Sequence, residues 1–189
     1  MKTAEEIKKI EAVVLYVLEH FKSGLDYIKL FKIMYFAQKD FLVTYGKVLC
    51  PDTFKARKYG PVPAFSDKVI KTVETQEKLQ GPQCLKDFTK AIKIDNQIVF
   101  SIGKCDLDYL SNKEIQCLDK WINYCSSKDS KKELSPESHD EAYLAAWNDF
   151  QDDPQKGEMT LIEIARAGGA SKKMIDYIRE KEIMAEQLS

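Results

Sequence analysis

The sequence predicts a mainly α-helical α+β domain that carries a small antiparallel β-sheet of about three strands. Apolar residues recur at helical spacing in several long segments, and only short stretches show strand alternation or a hairpin pattern. Hydrophobic residues make up 44% of the 189 residues, which is enough for a packed core. We expect one folding unit over residues 1–150 and a helical extension over residues 151–189 packed on it, because the polar stretch QDDPQKGE separates them.

The first two helices are predicted from their caps and their apolar periodicity. The stretch TAEE at residues 3–6 has the pattern of a capping box, and apolar residues follow it at helical spacing to about Lys22. Asp26 can cap a second helix that runs to about Tyr45, with Gly46 at its end. This second helix is apolar on nearly all sides, so we expect it to lie at the centre of the fold.

Short strands are predicted in the middle of the chain. Residues alternate in polarity over Thr53–Lys58, and Ala91–Ile102 has the pattern of a β-hairpin, so we expect the two to share one sheet. The triplet Tyr59-Gly60-Pro61 follows the first strand. Because proline fixes its own φ, lacks an N–H and restricts the preceding residue, we interpret the triplet as a joint from this strand into a helix over Ala64–Leu79.

Three more helical segments are predicted towards the C-terminus. The first covers Leu107–Cys125, and the second runs from Pro136 or Ser138 through Trp147. The third covers Leu161–Ile183 and is interrupted by a pair of glycines.

Several kinds of site are excluded by composition and motif. The five cysteines include no Cys-x-x-Cys pair, so neither a disulfide framework nor a metal site is expected. There is no glycine-rich phosphate loop and no nucleophile elbow, and we expect no cofactor. The net charge of −1 gives no nucleic-acid signature. No apolar run reaches the ~18 residues that span a bilayer, and the acidic N-terminus is unlike a secretory signal, so a cytoplasmic protein with no membrane partner is expected.

Three lysines, Lys29, Lys32 and Lys39, interrupt the apolar second helix, and Lys32 shares a face with each of the other two. One interpretation is that they extend along the edge of a buried helix to reach solvent. The other is a basic stripe that meets an acidic partner, with Tyr35 beside it. The first interpretation is favoured.

The C-terminal third is acidic and contains the histidine of interest. Residues 126–189 hold 14 Asp and Glu against 9 Lys and Arg. Solvated helix faces are the favoured interpretation of this excess, and a surface for a basic partner is the alternative. His139 precedes two acidic residues, but adjacent residues on a helix do not face each other. A structural role for His139 is therefore favoured over a catalytic one.

Three segments occur in a distinctive order: LFKIMYFAQ at residues 30–38, YGKVL at residues 45–49 and FKARKYGPV at residues 54–62. Together with the later stretches LSNKEI and LSPESH and with Trp147, they resemble the SocA-like antitoxin family, also called the Panacea domain, over about residues 5–150. The helix motif departs from the family at Phe31, where glutamine is common. Any polar contact made by that glutamine is absent from this chain.

The resemblance implies an intracellular bacterial or phage-associated protein that neutralises a cognate toxin by direct protein binding, without catalysis. The toxin is expected to be encoded next to this protein, and a protease or chaperone is a further candidate partner. Direct nucleic-acid binding is not expected. The oligomeric state is open. The candidate partner-binding residues are Lys29, Lys32, Tyr35, Lys58, Tyr59, His139 and Trp147. The residues assigned a structural role in the motif are Leu30, Phe36, Gly46, Gly60 and Pro61.

Two other functions stay open at this point. One is a protease adaptor or regulatory scaffold, which needs the same kind of binding surface. The other is an enzyme or a small-molecule or nucleotide-binding domain that uses Lys32, Lys58, Tyr59 and His139. A deep polar pocket that gathers Lys32, Tyr59 and His139 would favour this last alternative.

Overall fold

Nine α-helices and six short strands form the part of the chain that the computed structural model describes, residues 2–77 and 80–187. The helices are α1 (Ala4–Glu19), α2 (Tyr27–Tyr45), α3 (Ala64–Thr75), α4 (Gln83–Ala91), α5 (Asn112–Ser126), α6 (Ser135–Glu137), α7 (Glu141–Asp152), α8 (Leu161–Ala167) and α9 (Lys172–Gln187). The strands are β1 (Leu25–Asp26), β2 (Phe54–Arg57), β3 (Gly60–Pro63), β4 (Ile92–Asp95), β5 (Ile98–Ser101) and β6 (Glu158–Met159). The predicted mainly helical α+β class is confirmed.

Helix α2 lies at the centre of the fold, as its all-round apolar character predicts. It packs against α1, α5, α8 and β3, and twelve of its 19 residues are buried. Asp26 caps the helix by accepting a hydrogen bond from the Lys29 N–H at 2.9 Å. Gly46 ends it with a φ of +62°, a left-handed conformation that favours glycine. Both predicted ends of this helix are confirmed.

The strands form two separate three-stranded antiparallel sheets, so the expectation that Thr53–Lys58 and the Ala91–Ile102 hairpin share one sheet is wrong. The hairpin, β4 and β5, pairs with β1 in the order β1-β5-β4. The other sheet has the order β3-β2-β6. Both edges of β2 are filled, one by the adjacent β3 and the other by β6, so β2 has no free edge for the hairpin.

The interpretation of Tyr59-Gly60-Pro61 as a joint directly into a helix is also wrong, because a further strand intervenes. Lys58 and Tyr59 form the two-residue turn of a hairpin between β2 and β3, and β3 then leads into α3. Proline is tolerated here because β3 is an edge strand. Pro61 lies opposite Ala56, whose N–H points away from it and donates to the Gly157 carbonyl at 2.7 Å, so Pro61 interrupts no bond between β2 and β3.

Helix boundaries differ from the predictions in four places. Helix α3 ends at Thr75, and the predicted end at Leu79 lies outside the described residues. Helix α4 was not predicted; its apolar stripe is confined to Cys84, Leu85 and Phe88 within nine residues. Helix α5 begins at Asn112 rather than at Leu107, and the segment predicted through Trp147 divides into α6 and α7. The last segment divides into α8 and α9 at Gly168-Gly169, where the interruption was predicted.

The described residues offer neither a membrane-crossing helix nor a metal-binding cluster. None of their helices is both long enough and apolar enough to cross a membrane. They also contain no group of three or more His, Cys, Asp or Glu side chains placed to hold a metal ion. The five cysteines are free, and four of them are buried.

A side chain from a distant loop caps α3. Pro63, at the cap position, has no side-chain hydrogen bond to offer. Asp52 replaces it: one carboxylate oxygen accepts from the Phe65 N–H at 2.9 Å, and the other accepts from the N–H and the hydroxyl of Ser66 at 2.9 and 2.7 Å. Because Asp52 is buried, these donors have no access to competing water.

We expect Asp52→Ala to lower the free energy of unfolding by about 2 kcal/mol, because it leaves buried donors at the start of α3 without an acceptor. Asp52→Asn keeps one acceptor oxygen and should lose less. Asp106→Ala is the control, since Asp106 caps only a short exposed turn. Urea unfolding followed by circular dichroism measures all three. Equal losses for Asp52→Ala and Asp106→Ala would contradict this assignment.

Candidate functional site

An apolar groove of about 330 Å³ opens where the β2–β3 hairpin meets the first turns of α2, the start of α3 and the end of α7; we call it the hairpin groove. Five aromatic side chains line it: Tyr27, Phe31, Tyr59, Trp147 and Phe150. The charged residues that line it are Lys32, Arg57, Lys58, Asp67 and Lys71. An aromatic lining beside several cations is the composition of a binding surface rather than of a plain gap in the core.

Lys32 lines the groove although it is only 1% exposed, so it does not extend to solvent as the favoured interpretation held. Its Nζ donates to the Pro61 carbonyl at 3.1 Å. No carboxylate lies within 4 Å of this amine among the residues that the structure describes. Burial disfavours the charged form and lowers the pKa of Lys32 to about 7.

Gly60 allows the hairpin to approach this amine. Its φ of +102° is one that only glycine adopts without strain. A Cβ at this position would lie 2.5 Å from Lys32 Nζ and closer still to Ser138 Oγ. Gly60 is therefore required twice, by its backbone conformation and by the side chains packed against it.

Segment 135–138 holds the hairpin turn from the other side. Ser135 Oγ donates to the Tyr59 carbonyl at 3.0 Å, and Ser138 Oγ donates in turn to the Ser135 carbonyl at 2.8 Å. Both serines are buried. The turn that presents Lys58 and Tyr59 is thus fixed by its backbone, which leaves these two side chains exposed to solvent.

A second polar cluster places α7. Asp140 accepts from the Tyr35 hydroxyl at 2.8 Å and from Lys39 Nζ at 2.8 Å. Its other oxygen accepts from the Tyr143 N–H at 3.1 Å and caps α7. Tyr35 is fully buried, and burial together with the Asp140 charge raises its pKa. Asp140 is therefore occupied within the fold and is not free to form part of an acidic surface.

Four rings stack along α7 towards the groove. His139 stacks on Tyr143 at 4.2 Å between ring centroids, and Trp147 and Phe150 continue the series. The Arg57 guanidinium lies over Phe150 at 4.7 Å, and Tyr143 donates its hydroxyl proton to the Arg57 carbonyl at 3.0 Å. Burial, and then the charge of Lys32, lower the pKa of His139. His139 supports the stack and does not line the groove.

The structure brings four of the seven predicted partner-binding residues to the groove: Lys32, Lys58, Tyr59 and Trp147. The other three lie elsewhere. Lys29 is half-buried with its Nζ 3.5 Å from the Ser126 carbonyl. Tyr35 belongs to the polar cluster around Asp140, and His139 belongs to the ring stack along α7. Lys32, Tyr59 and His139 do not share one deep polar pocket, which was the condition that would favour an enzyme.

The residues assigned structural roles in the motif are buried: Leu30, Phe36, Gly46, Gly60 and Pro61. Sequence reasoning missed Arg57 and Phe150 as groove residues. Two signals could have found them, since Arg57 immediately precedes the turn and Phe150 lies three residues beyond Trp147, on the same helical face. Phe31, where the chain departs from the resembled family, lines the groove and makes its lining apolar at that point.

One comparison with known proteins gives a match. A family model described as "Antitoxin SocA-like, Panacea domain" matches residues 30–148. This range includes the β2–β3 hairpin and Trp147. No curated protein and no solved structure matches the chain.

We expect Gly60→Ala to lower the free energy of unfolding at least twice as much as Gly169→Ala. Both glycines have a positive φ, and that strain alone costs about 1 kcal/mol. A methyl group at Gly169 meets no atom within 4 Å, whereas one at Gly60 displaces Lys32 and Ser138. Urea unfolding of the two variants measures the difference, and equal losses would show that the contacts at Gly60 relax without cost.

We expect the free energy of unfolding of the wild type to rise relative to that of Lys32→Met as the pH rises from about 7 to about 10. In this range the unfolded chain binds a proton at Lys32 that the folded chain has released, because the pKa falls from 10.5 to about 7 on folding. Wild-type stability should therefore rise relative to the variant by up to about 1.4 kcal/mol per pH unit. Urea unfolding at pH 7, 8, 9 and 10 tests this, and a constant difference would mean that Lys32 keeps its ordinary pKa.

Proposed function

The chain belongs to the SocA-like antitoxin family, Panacea domain, and we propose that it neutralises a cognate toxin by direct protein–protein binding through the hairpin groove, without catalysis. Family membership is the observation that carries this proposal. The matched residues 30–148 contain the hairpin and Trp147, two of the main parts of the groove. The proposal places the interaction in the cytoplasm of a bacterial cell, with a toxin encoded beside the antitoxin.

The composition of the groove supports a protein partner. Binding energy at protein interfaces is concentrated in a few aromatic and arginine side chains surrounded by residues that exclude water. Tyr59 is 41% exposed at the turn of the hairpin, and Trp147 and Arg57 are half-buried beside it. The backbone that carries Tyr59 is fixed by Ser135, and Trp147 and Arg57 lie in the ring stack on α7, so less conformational entropy is lost when a partner binds.

Neutralisation of this kind requires no reactive group. A rigid surface that covers the active or target-binding face of the toxin is sufficient. The cations around the groove would also accelerate the encounter with a partner of opposite charge, which matters when the toxin must be captured soon after synthesis.

We expect co-expression of this chain to restore the growth of cells that express a toxic product of a neighbouring reading frame, and we expect the two proteins to co-purify. Tyr59→Ala and Trp147→Ala should weaken the complex tenfold or more, because each removes a large groove side chain. Tyr124→Ala is the matched control, since Tyr124 is 40% exposed and lies outside the groove.

Circular dichroism melting curves must first show that each variant is folded. If no neighbouring product is toxic, the antitoxin function fails. If the folded Tyr59→Ala and Trp147→Ala chains neutralise the toxin as well as Tyr124→Ala does, the toxin binds at another surface.

A further inference from the structure

Three cations at or beside the hairpin groove have no acidic partner among residues 2–77 and 80–187. No carboxylate of these residues lies within 4 Å of the side-chain nitrogens of Arg57, Lys58 or Lys131. Lys71 differs, because its Nζ contacts Asp67 at 2.5 Å. Unpaired positive charge is therefore concentrated on one side of the groove, at the hairpin.

The hairpin cations are placed by aromatic rings. The Arg57 guanidinium lies over Phe150 at 4.7 Å, and one of its nitrogens donates to the Ala56 carbonyl at 2.7 Å. Most of its five N–H donors have no acceptor among the described residues, in a planar arrangement that suits a carboxylate. Lys58 and Lys131 both lie against the Tyr59 ring, with Nζ at 5.6 and 5.3 Å from its centroid.

The interior of the groove is apolar. Phe31 and Ile28 are buried beneath the exposed hairpin side chains, and Trp147 and Phe150 close one side. A volume of about 330 Å³ is at the lower end of the range for binding pockets, so it suits one or two large side chains rather than a folded element.

We propose that the hairpin groove takes an extended acidic segment of a partner protein, with an aromatic or large aliphatic side chain in the apolar interior and a flanking carboxylate on Arg57 and Lys58. This rests on the proposed function, since the toxin is the expected source of the segment. Charge complementarity carries the choice of occupant: a carboxylate would supply the counter-ion that Arg57 and Lys58 lack, and the neighbouring Lys131 would add to the attraction.

A peptide fits the groove better than a nucleic-acid strand does. On the α3 side Asp67 and Lys71 pair with each other, so this side offers no free cation to a phosphate backbone. The unpaired cations lie together at the hairpin and do not form a track along which successive phosphates could bind. Trp147 and Tyr59 could nevertheless stack on bases, so binding of a single strand is the alternative outcome that the experiment must distinguish.

The test uses a phage-displayed library of random 12-residue peptides, selected on the full immobilised chain. We expect the selected sequences to share an Asp or Glu next to Trp, Phe, Tyr or Leu. The tightest peptide is then synthesised with a fluorescent label, together with its Asp→Asn or Glu→Gln form, and affinities are measured by fluorescence polarisation at several salt concentrations.

Charge-neutral variants of the chain locate the contact. Arg57→Gln and Lys58→Gln should each weaken the acidic peptide about tenfold and reduce the dependence of binding on salt, whereas the neutral peptide should bind these variants and the wild type alike. Lys71→Gln and Lys47→Gln are controls: the first removes a groove cation that is already paired, and the second an exposed cation of another region. Lys58 is exposed, and among the described residues its side chain forms no hydrogen bond or ion pair and lies against the Tyr59 ring, so Lys58→Gln should fold normally.

Three results would overturn the inference: selected peptides without a shared acidic residue, equal affinities for the acidic and neutral peptides, or no selected peptide together with an Arg57-dependent affinity for a fluorescein-labelled single-stranded oligonucleotide. The last result would assign the groove to nucleic acid.

The inference and the proposed function can fail separately. If neutralisation needs Tyr59 but the selected peptides are not acidic, only this inference fails. If acidic peptides bind while the Tyr59→Ala chain still neutralises the toxin, the role of the groove in neutralisation fails.

Discussion

The contact between the Lys32 amine and the Pro61 carbonyl sets the position of the hairpin on the central helix. A buried amine without a counter-ion is costly unless it is hydrogen-bonded, so the carbonyl on the outer side of the edge strand β3 has to stay within reach of α2. That distance leaves no room for a side chain at Gly60. The turn is then locked by Ser135, which leaves Lys58 and Tyr59 outside as the exposed part of the groove.

The opposite side of the groove depends on a separate interaction. Asp140 joins Tyr35 and Lys39 on α2 to the first turn of α7. Along α7 the ring stack continues through Trp147 to Phe150, and the Arg57 guanidinium lies over the Phe150 ring. The groove is therefore built by two polar contacts on one helix, each of which positions a different wall.

Local signals were enough to predict α1, α2 and α5, because each begins with a side-chain cap and carries a long apolar repeat. Strand β2 and the hairpin of β4 and β5 were predicted, but the division of the strands into two sheets could not be, since β1 and β6 have only two residues each and carry no alternation that could be detected. In the site, the motif identified Lys58, Tyr59 and Trp147. Sequence alone could not show that Lys32 is buried against Pro61, because this contact joins residues 29 positions apart.

Because β6 pairs with β2, the β2–β3 hairpin is supported by two parts of the chain. One part lies within the family match, and the other, residues 158–159, lies beyond it. The Gly157 carbonyl and β6 support β2 along the edge that faces away from β3. A substitution in this distal segment would therefore shift the hairpin, and with it the proposed binding surface, without changing any residue that lines the hairpin groove.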